Sequence, residues 1–94
     1  HLAHYRVTKA FIGVDGVSAE HGLSAHSESE AGMTMAAISN ASYSYLLCDA
    51  SKIGKDKYLQ FAPSSLVNAL ITDKRTEPVI KLEETGLRVL IAGK

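Results

Sequence analysis

The chain has 94 residues, of which 46% are hydrophobic and 21% are charged, and its formal net charge at pH 7 is zero. This length is enough for one small domain with a modest core, and the lack of a basic excess argues against nucleic-acid binding by this segment alone. No apolar run approaches the roughly 18 residues of a membrane helix. The single cysteine, Cys48, excludes an internal disulfide and is typical of a reducing compartment.

The stretch from Ala10 to Asp15 predicts the first strand. Its apolar residues do not alternate with polar ones, which suits a strand buried on both faces. Ligands of open parallel sheets bind beyond the carboxyl ends of the strands, so Asp15 is a candidate ligand-binding residue. Gly16 can adopt the positive φ that a sharp exit from a strand often needs. A plain strand followed by an Asp-Gly turn is the alternative interpretation.

A loop and then a helix are predicted after this strand. Residues 17–27 are rich in Ser, His and Gly without a sustained period, which predicts a structureless loop. Ser27 and Glu30 fit a capping box, with Ser27 at the N-cap of the helix. A narrow buried stripe is expected along the helix at Ala31, Met35, Ile38 and Ser42.

Three further strands are predicted over residues 45–48, 69–73 and 87–92. Asp49 and Asp73 close the first two of them, as Asp15 closes the initial strand. In a parallel sheet these three carboxylates would lie along one rim, because the carboxyl ends of parallel strands meet at the same edge.

The connections between these strands are predicted to be mostly helical. Residues 55–61 are interpreted as an irregular crossing segment with Tyr58 and Phe61 as core anchors, and residues 63–66 as one helical turn. A helix capped by Thr76 should end near Gly86. The alternation predicts an α/β fold with a mostly parallel sheet of about four strands and helices on both faces, a three-layer Rossmann-like arrangement.

Asp15, Glu30 and Lys52 carry the candidate chemistry. Two carboxylates in one crevice could shuttle protons on a carbonyl sugar or accept hydrogen bonds from sugar hydroxyls. The capping box alone also explains Glu30. Lys52 suits a phosphate or carboxylate, although a solvated loop lysine or an ion pair with Asp49 is equally consistent. No metal site or cofactor is expected, because the histidines lack ligand spacing and no Gly-rich phosphate loop is present.

Three segments, in this order, resemble the carboxyl-terminal sensor domain of DeoR-type bacterial transcriptional repressors. They are residues 9–18 (KAFIGVDGVS) with His21-Gly22-Leu23-Ser24 and Glu30-Ala31 after them, residues 46–54 (LLCDASKIG), which match the family's L-x-D-x-S-K-x-G, and residues 70–73 (LITD). The resemblance covers nearly the whole chain from Thr8 onward.

This resemblance implies a domain similar in fold to ribose-5-phosphate isomerase that binds a phosphorylated sugar. It also implies an amino-terminal winged helix-turn-helix that binds operator DNA, and an upstream phosphate-binding half. Residues 1–94 would then be the distal part of the sensor domain, without either of those segments. Carried over by position, Asp15, Gly16, Glu30 and Lys52 would lie at the sugar end of the site.

Two departures from the family pattern bear on function. Thr34 stands where the family usually has Lys, four residues after Glu30, which puts an ion pair from that helix in doubt. The isomerase relatives need a denser acidic loop than Val14-Asp15-Gly16-Val17, which argues against isomerase activity.

Three hypotheses follow for the function. The first is a non-enzymatic, effector-sensing fragment of a cytoplasmic, homo-oligomeric repressor of sugar metabolism with no membrane contact. The second is a fragment of a sugar-phosphate isomerase with Asp15 and Glu30 as acid and base. The third is an assembly module that uses the open sheet edge and the helix carrying Met33 and Met35.

Overall fold

In the computed structural model, which describes residues 8–57 and 59–92, four parallel strands form the main sheet. In their order across the sheet they are β1 (Lys9–Gly13), β4 (Tyr43–Leu47), β6 (Ala69–Thr72) and β7 (Arg88–Ile91). Each neighbouring pair in the register is parallel, so the carboxyl ends of all four strands lie at the same edge. The predicted α/β class and mostly parallel sheet are confirmed.

A second, antiparallel sheet replaces two predicted irregular segments. It consists of β2 (Gly16–Ser18), β3 (Gly22–Ala25) and β5 (Leu59–Ala62), in that order. The predictions of a structureless loop over residues 17–27 and an irregular segment over 55–61 were therefore wrong. Strands of three or four residues are too short to establish a period, and every residue of β2 and β3 is buried, so no polar alternation marks them.

Buried serines explain why this region looks like a loop in the sequence. Ser24 is fully buried, and its Oγ donates to the carbonyl oxygen of Gly16 at 3.2 Å while accepting from the backbone N–H of Lys57 at 3.0 Å. A polar side chain can be buried at low cost when its hydrogen bonds are satisfied. The hydroxyl thus joins β2 to the segment before β5.

Helix α1 (Glu28–Ser39) begins where the capping box predicts. The Oγ of Ser27 accepts a hydrogen bond from the backbone N–H of Glu30 at 3.2 Å. Of the predicted stripe, Ala31 and Ile38 are buried and Met35 is half-buried. Ser42 is exposed because the helix is capped at Asn40, before the stripe reaches it, so the prediction was wrong there.

Helix α2 (Glu77–Glu84) lies between β6 and β7, as predicted. Thr76 occupies the N-cap position but its side chain makes no capping hydrogen bond, contrary to the expectation from sequence. Gly86 has a φ of 104°, the left-handed conformation that ends many helices at glycine. The turn predicted over residues 63–66 is a 3₁₀ turn, Ser64–Leu66, and a second one spans Ala50–Lys52.

One core cluster joins the two sheets and both helices. Ile12, Leu46 and Leu70 share one face of the main sheet, and they form one cluster with Ile38 of α1 and with Val79 and Leu82 of α2. Both helices therefore pack on the same face, and the expectation of helices on both faces in a three-layer arrangement was wrong. The cluster contains Ile12, Val17, Leu23, Ile38, Leu46, Cys48, Ile53, Val67, Leu70, Val79, Leu82 and Leu87. Phe61 packs against it, half-buried, whereas Tyr58 lies outside the described residues.

The opposite face of the main sheet carries aromatic side chains. Phe11 and Tyr45 stack with their ring centroids 4.9 Å apart, and Phe11 is still 59% exposed. The expectation that the first strand is buried on both faces was therefore wrong, because only one face of β1 packs against the core. Neither helix in the described ranges combines the length and the apolar character that a membrane crossing requires.

Candidate functional site

Three aspartates lie at one rim of the parallel main sheet. Asp15 follows β1, Asp49 follows β4 and Asp73 follows β6, each within two residues of the strand end. This confirms the placement expected from the sequence. The common direction of the strands is the cause, since it brings every carboxyl end to one edge.

A cavity of about 430 Å³ opens at this rim. Three of the predicted site residues, Asp15, Glu30 and Lys52, line it together, whereas Gly16 lies outside its lining. The remaining lining residues are Gly13, Val14, Ala25, Met33, Thr34, Leu47, Cys48 and Asp49. The cavity therefore presents three carboxylates and one ammonium group on a partly apolar floor.

Asp15 is held in place by the end of β3. The backbone N–H of His26 donates to Oδ2 of Asp15 at 3.0 Å, and Nε2 of the His26 ring lies 3.9 Å from Oδ1. The His26 backbone N–H is the main reason why the pKa of Asp15 is below its usual value. Asp15 is therefore ionised near neutral pH, with a side chain that remains 31% exposed to a ligand.

The short segment between β3 and α1 places Glu30 in the same cavity as Asp15. His26 binds Asp15, and the next residue, Ser27, caps the helix turn that carries Glu30. The sequence analysis missed His26 as a partner of Asp15, because only the β2–β3 hairpin brings these residues together.

Lys52 and Asp49 lie on a loop that has both buried and exposed side chains. Ala50 and Ile53 are buried, whereas Asp49 and Lys52 are exposed and line the cavity. Burial raises the pKa of the neighbouring Cys48 thiol to about 11, so this side chain is a neutral thiol near pH 7.

Asp73 has a different role from the other two rim aspartates. Its Oδ1 accepts a hydrogen bond from the backbone N–H of Ala50 at 2.8 Å, which lowers the pKa of Asp73 below its usual value. Asp73 does not line the cavity but contacts the loop that does.

Gly16 is required for close packing rather than for an unusual backbone conformation. The glycines with positive φ in the described part of the chain are Gly22, Gly54 and Gly86, so the expectation of a positive φ at Gly16 was wrong. A Cβ at Gly16 would lie 2.5 Å from the carbonyl oxygen of Lys55. The absence of a side chain therefore lets the 55–57 segment approach β2.

A second cavity, of about 580 Å³, lies at the opposite, amino-terminal end of β6 and β7, between the β2–β3 turn and the end of α2. The neighbouring Asp56 accepts from Ser18 Oγ at 2.8 Å and contacts Nδ1 of His21 at 2.7 Å. The Ser18 hydroxyl is the main cause of the lowered pKa of Asp56. These contacts tie the hairpin to the 55–57 segment, and no sequence motif indicated them.

The arrangement at the rim suits a hydroxylated ligand that carries an anionic group. Ionised carboxylates accept hydrogen bonds from hydroxyls, and a lysine is a compact cation that pairs with phosphate. Among residues 8–57 and 59–92, no three His, Cys, Asp or Glu side chains are grouped as a metal ion would require. The fold and the site together define an α/β domain with a crevice at the carboxyl ends of its strands.

The comparison with protein families identifies which class of α/β domain this is. The family profile described as the DeoR C terminal sensor domain matches residues 1–74. The chain belongs to the DeoR C-terminal sensor domain family. The resemblance noted in the sequence is thereby confirmed.

Individual relatives agree with this assignment. The chain is 33% identical over 92 residues to the HTH-type transcriptional repressor GlcR of Bacillus subtilis, covering 96% of this chain and 35% of the relative. It is 38% identical over 73 residues to a lactose phosphotransferase system repressor of Staphylococcus epidermidis, covering 77% of this chain and 28% of the relative. The chain thus spans about a third or less of these relatives. No solved structure matches it significantly.

Proposed function

We propose that this chain is the effector-sensing part of a transcriptional repressor of sugar metabolism, and that a phosphorylated sugar binds in the rim cavity. The convergence of Asp15, Glu30, Asp49 and Lys52 on one cavity is the observation that carries the proposal. The carboxylates would accept hydrogen bonds from sugar hydroxyls, and Lys52 would pair with an anionic group. The names of the relatives, a transcriptional repressor and a lactose phosphotransferase system repressor, support this class of role.

Regulation would follow from differential affinity. A ligand that binds one arrangement of the sensor more tightly shifts the protein toward that arrangement. The name HTH-type, carried by GlcR, supports DNA binding through a helix-turn-helix segment outside these 94 residues. In this proposal the intact protein is a cytoplasmic homo-oligomer that meets operator DNA and its effector in the same compartment.

A non-catalytic role is favoured over the isomerase alternative. A general acid or base works best when its pKa lies near the operating pH. The His26 backbone N–H lowers the pKa of Asp15 instead, which suits hydrogen-bond acceptance better than proton transfer near neutrality. The repressor names of the relatives point in the same direction.

The test is effector binding by the intact protein, measured by isothermal titration calorimetry with a panel of hexose and pentose phosphates and the corresponding free sugars. We expect Asp15→Ala to weaken binding about tenfold or more, through the loss of charge-assisted hydrogen bonds, while operator binding is unchanged. Lys52→Gln should weaken binding of the phosphorylated sugar and leave the free sugar unaffected.

Glu20→Ala is the matched control, because Glu20 is an exposed carboxylate that lines the second cavity and not the rim cavity. An Asp15→Ala protein that binds sugar phosphates and releases operator DNA as the parent does would contradict the proposed site.

Assembly is the second candidate function, and the exposed apolar side chains favour it. Met33 of α1 is 70% exposed, and Phe11 and Leu47 on the aromatic face of the main sheet are 59% and 42% exposed. Sedimentation of the intact protein, compared with Phe11→Ser and Met33→Ser, tests it. A parent that sediments as a monomer at high concentration would count against assembly.

A further inference from the structure

Asp73 links the end of one strand to the loop that follows its neighbour. It is the first residue after β6, and its Oδ1 accepts from the Ala50 backbone N–H at 2.8 Å across a sequence separation of 23 residues. The hydroxyl of Thr72 contacts the same oxygen at 3.4 Å. Ala50 opens the 3₁₀ turn Ala50–Lys52, so the carboxylate holds the start of the loop that carries Asp49 and Lys52.

The other end of this loop is attached to the second sheet. The Gly54 backbone N–H donates to the carbonyl oxygen of Val17 at 2.6 Å, and Ile53 forms a parallel bridge with Val17. Gly54 has a φ of 92° and leaves no room for a side chain, because a Cβ would lie 2.7 Å from the Pro78 Cβ. The loop therefore has one anchor on each sheet. Lys52 lies between the two anchors, and Asp49 directly precedes the first.

The first anchor depends on a single side chain. Ala50 is buried, and a buried backbone N–H without an acceptor is costly. The Lys52 N–H, by contrast, donates to the Asp49 carbonyl oxygen at 2.9 Å within the turn. Asp73 thus supplies the acceptor for the Ala50 N–H from outside the turn. The position of its Oδ1 therefore sets where the 3₁₀ turn Ala50–Lys52 begins.

We propose that Asp73 is a positioning residue for effector binding, whose carboxylate oxygen fixes the 3₁₀ turn so that Asp49 and Lys52 face the ligand in the rim cavity. This inference rests on the proposed function, since the placement of Lys52 matters for binding only if a ligand occupies the cavity. The oxygen that accepts the Ala50 N–H is the important atom, and the negative charge of Asp73 is secondary.

Two conservative variants of the intact protein separate the position of this oxygen from its charge. Asp73→Asn keeps an acceptor oxygen in place and removes the charge, whereas Asp73→Glu keeps the charge and displaces the oxygen by one methylene. Calorimetric titration with the hexose and pentose phosphates should give Asp73→Asn an affinity within about threefold of the parent, and Asp73→Glu an affinity about tenfold weaker. Asp73→Ala should resemble Asp73→Glu.

Asp56→Asn is the control, because Asp56 is an aspartate that also accepts a short hydrogen bond but lies outside the cavity. Parental affinity is expected for it. Parental affinity in Asp73→Glu, or equal losses in Asp73→Asn and Asp73→Glu, would overturn the positioning role.

A measurement without ligand distinguishes failure of this inference from failure of the proposed function. The Ala50 amide proton, followed by NMR, should shift as Asp73 is protonated at acidic pH and should lose this titration in Asp73→Asn. The amides of Ala50 and Lys52 should exchange faster with solvent in Asp73→Glu than in Asp73→Asn. If the parent binds none of the sugar phosphates, the proposed function fails, and unchanged exchange in Asp73→Glu would then overturn the positioning role by itself.

Discussion

Replacement of Gly16 by alanine tests the close contact between β2 and the 55–57 segment. The added methyl group would lie 2.5 Å from the carbonyl oxygen of Lys55 and 3.0 Å from the Oγ of Ser24. Neither atom can move freely, since the first is backbone and the second holds two hydrogen bonds. Overpacking of this kind costs about 1–3 kcal/mol of unfolding free energy. For a domain of this size the melting temperature should fall by about 5–20 °C.

Two other glycines receive the same methyl group in different surroundings and serve as controls. A Cβ at Gly13 would have its nearest contact at 3.9 Å, an ordinary van der Waals distance, and one at Gly32 in α1 would meet nothing within 4 Å. Gly13→Ala should therefore leave stability nearly unchanged, and Gly32→Ala should increase it by up to about 1 kcal/mol, because alanine is the better helix former.

The assay is urea unfolding followed by far-ultraviolet circular dichroism, together with thermal melts. We expect the midpoints to rank Gly32→Ala above Gly13→Ala, with Gly16→Ala well below both. Equal midpoints for Gly16→Ala and Gly13→Ala would refute the reasoning, because the two substitutions differ only in the space available to the methyl group.

Three further predictions concern pH, thiol reactivity and helix capping. The His26 N–H lowers the pKa of Asp15, so the ionised Asp15 carboxylate should stabilise the fold fully above the ordinary aspartate pKa of about 3.9. This stabilisation should be lost as the pH falls through the lower pKa of the folded state. The urea midpoints of the parent and Asp15→Asn, measured against pH, should therefore converge in acid. Cys48 is buried, and burial raises the pKa of its thiol to about 11. It should therefore react with a disulfide reagent at pH 8 far more slowly in the folded protein than in urea. Rapid labelling of the folded protein would contradict the burial of Cys48. Ser27→Ala should lower the free energy of unfolding by about 1 kcal/mol, because it removes the hydrogen bond from the Glu30 N–H. Ser27→Asp can still cap helix α1, so it should unfold at nearly the parental urea midpoint.

The main sheet and its rim could be predicted because their signals are local. Each strand of the main sheet contains an apolar run of at least three residues or leads into one, and an aspartate follows three of the four strands. The beginning of α1 was equally clear, since Ser27 and Glu30 lie within one helical turn. Whether Asp15, Glu30 and Lys52 bind a ligand stays a prediction, although the fold brings all three to one cavity.

The second sheet and the roles of several polar residues could not be predicted in this way. A three-residue strand has no measurable period, and a buried serine has the same letter as an exposed one. Asp73 was expected only to share a rim with Asp15 and Asp49, and its hydrogen bond to the backbone N–H of Ala50 was not predicted. Gly16 looked like a turn residue, but its small size serves packing against the carbonyl oxygen of Lys55.

The sequence by itself determined the alternation of main-sheet strands and helices, because this feature depends on neighbours along the chain. Since such alternation favours a parallel sheet, the sequence also determined that three carboxylates share an edge. Only the tertiary structure decided which of those carboxylates line the cavity and which hold the loop beside it. That choice depends on single hydrogen bonds between distant residues, such as the one between Asp73 and Ala50, and no local pattern encodes them.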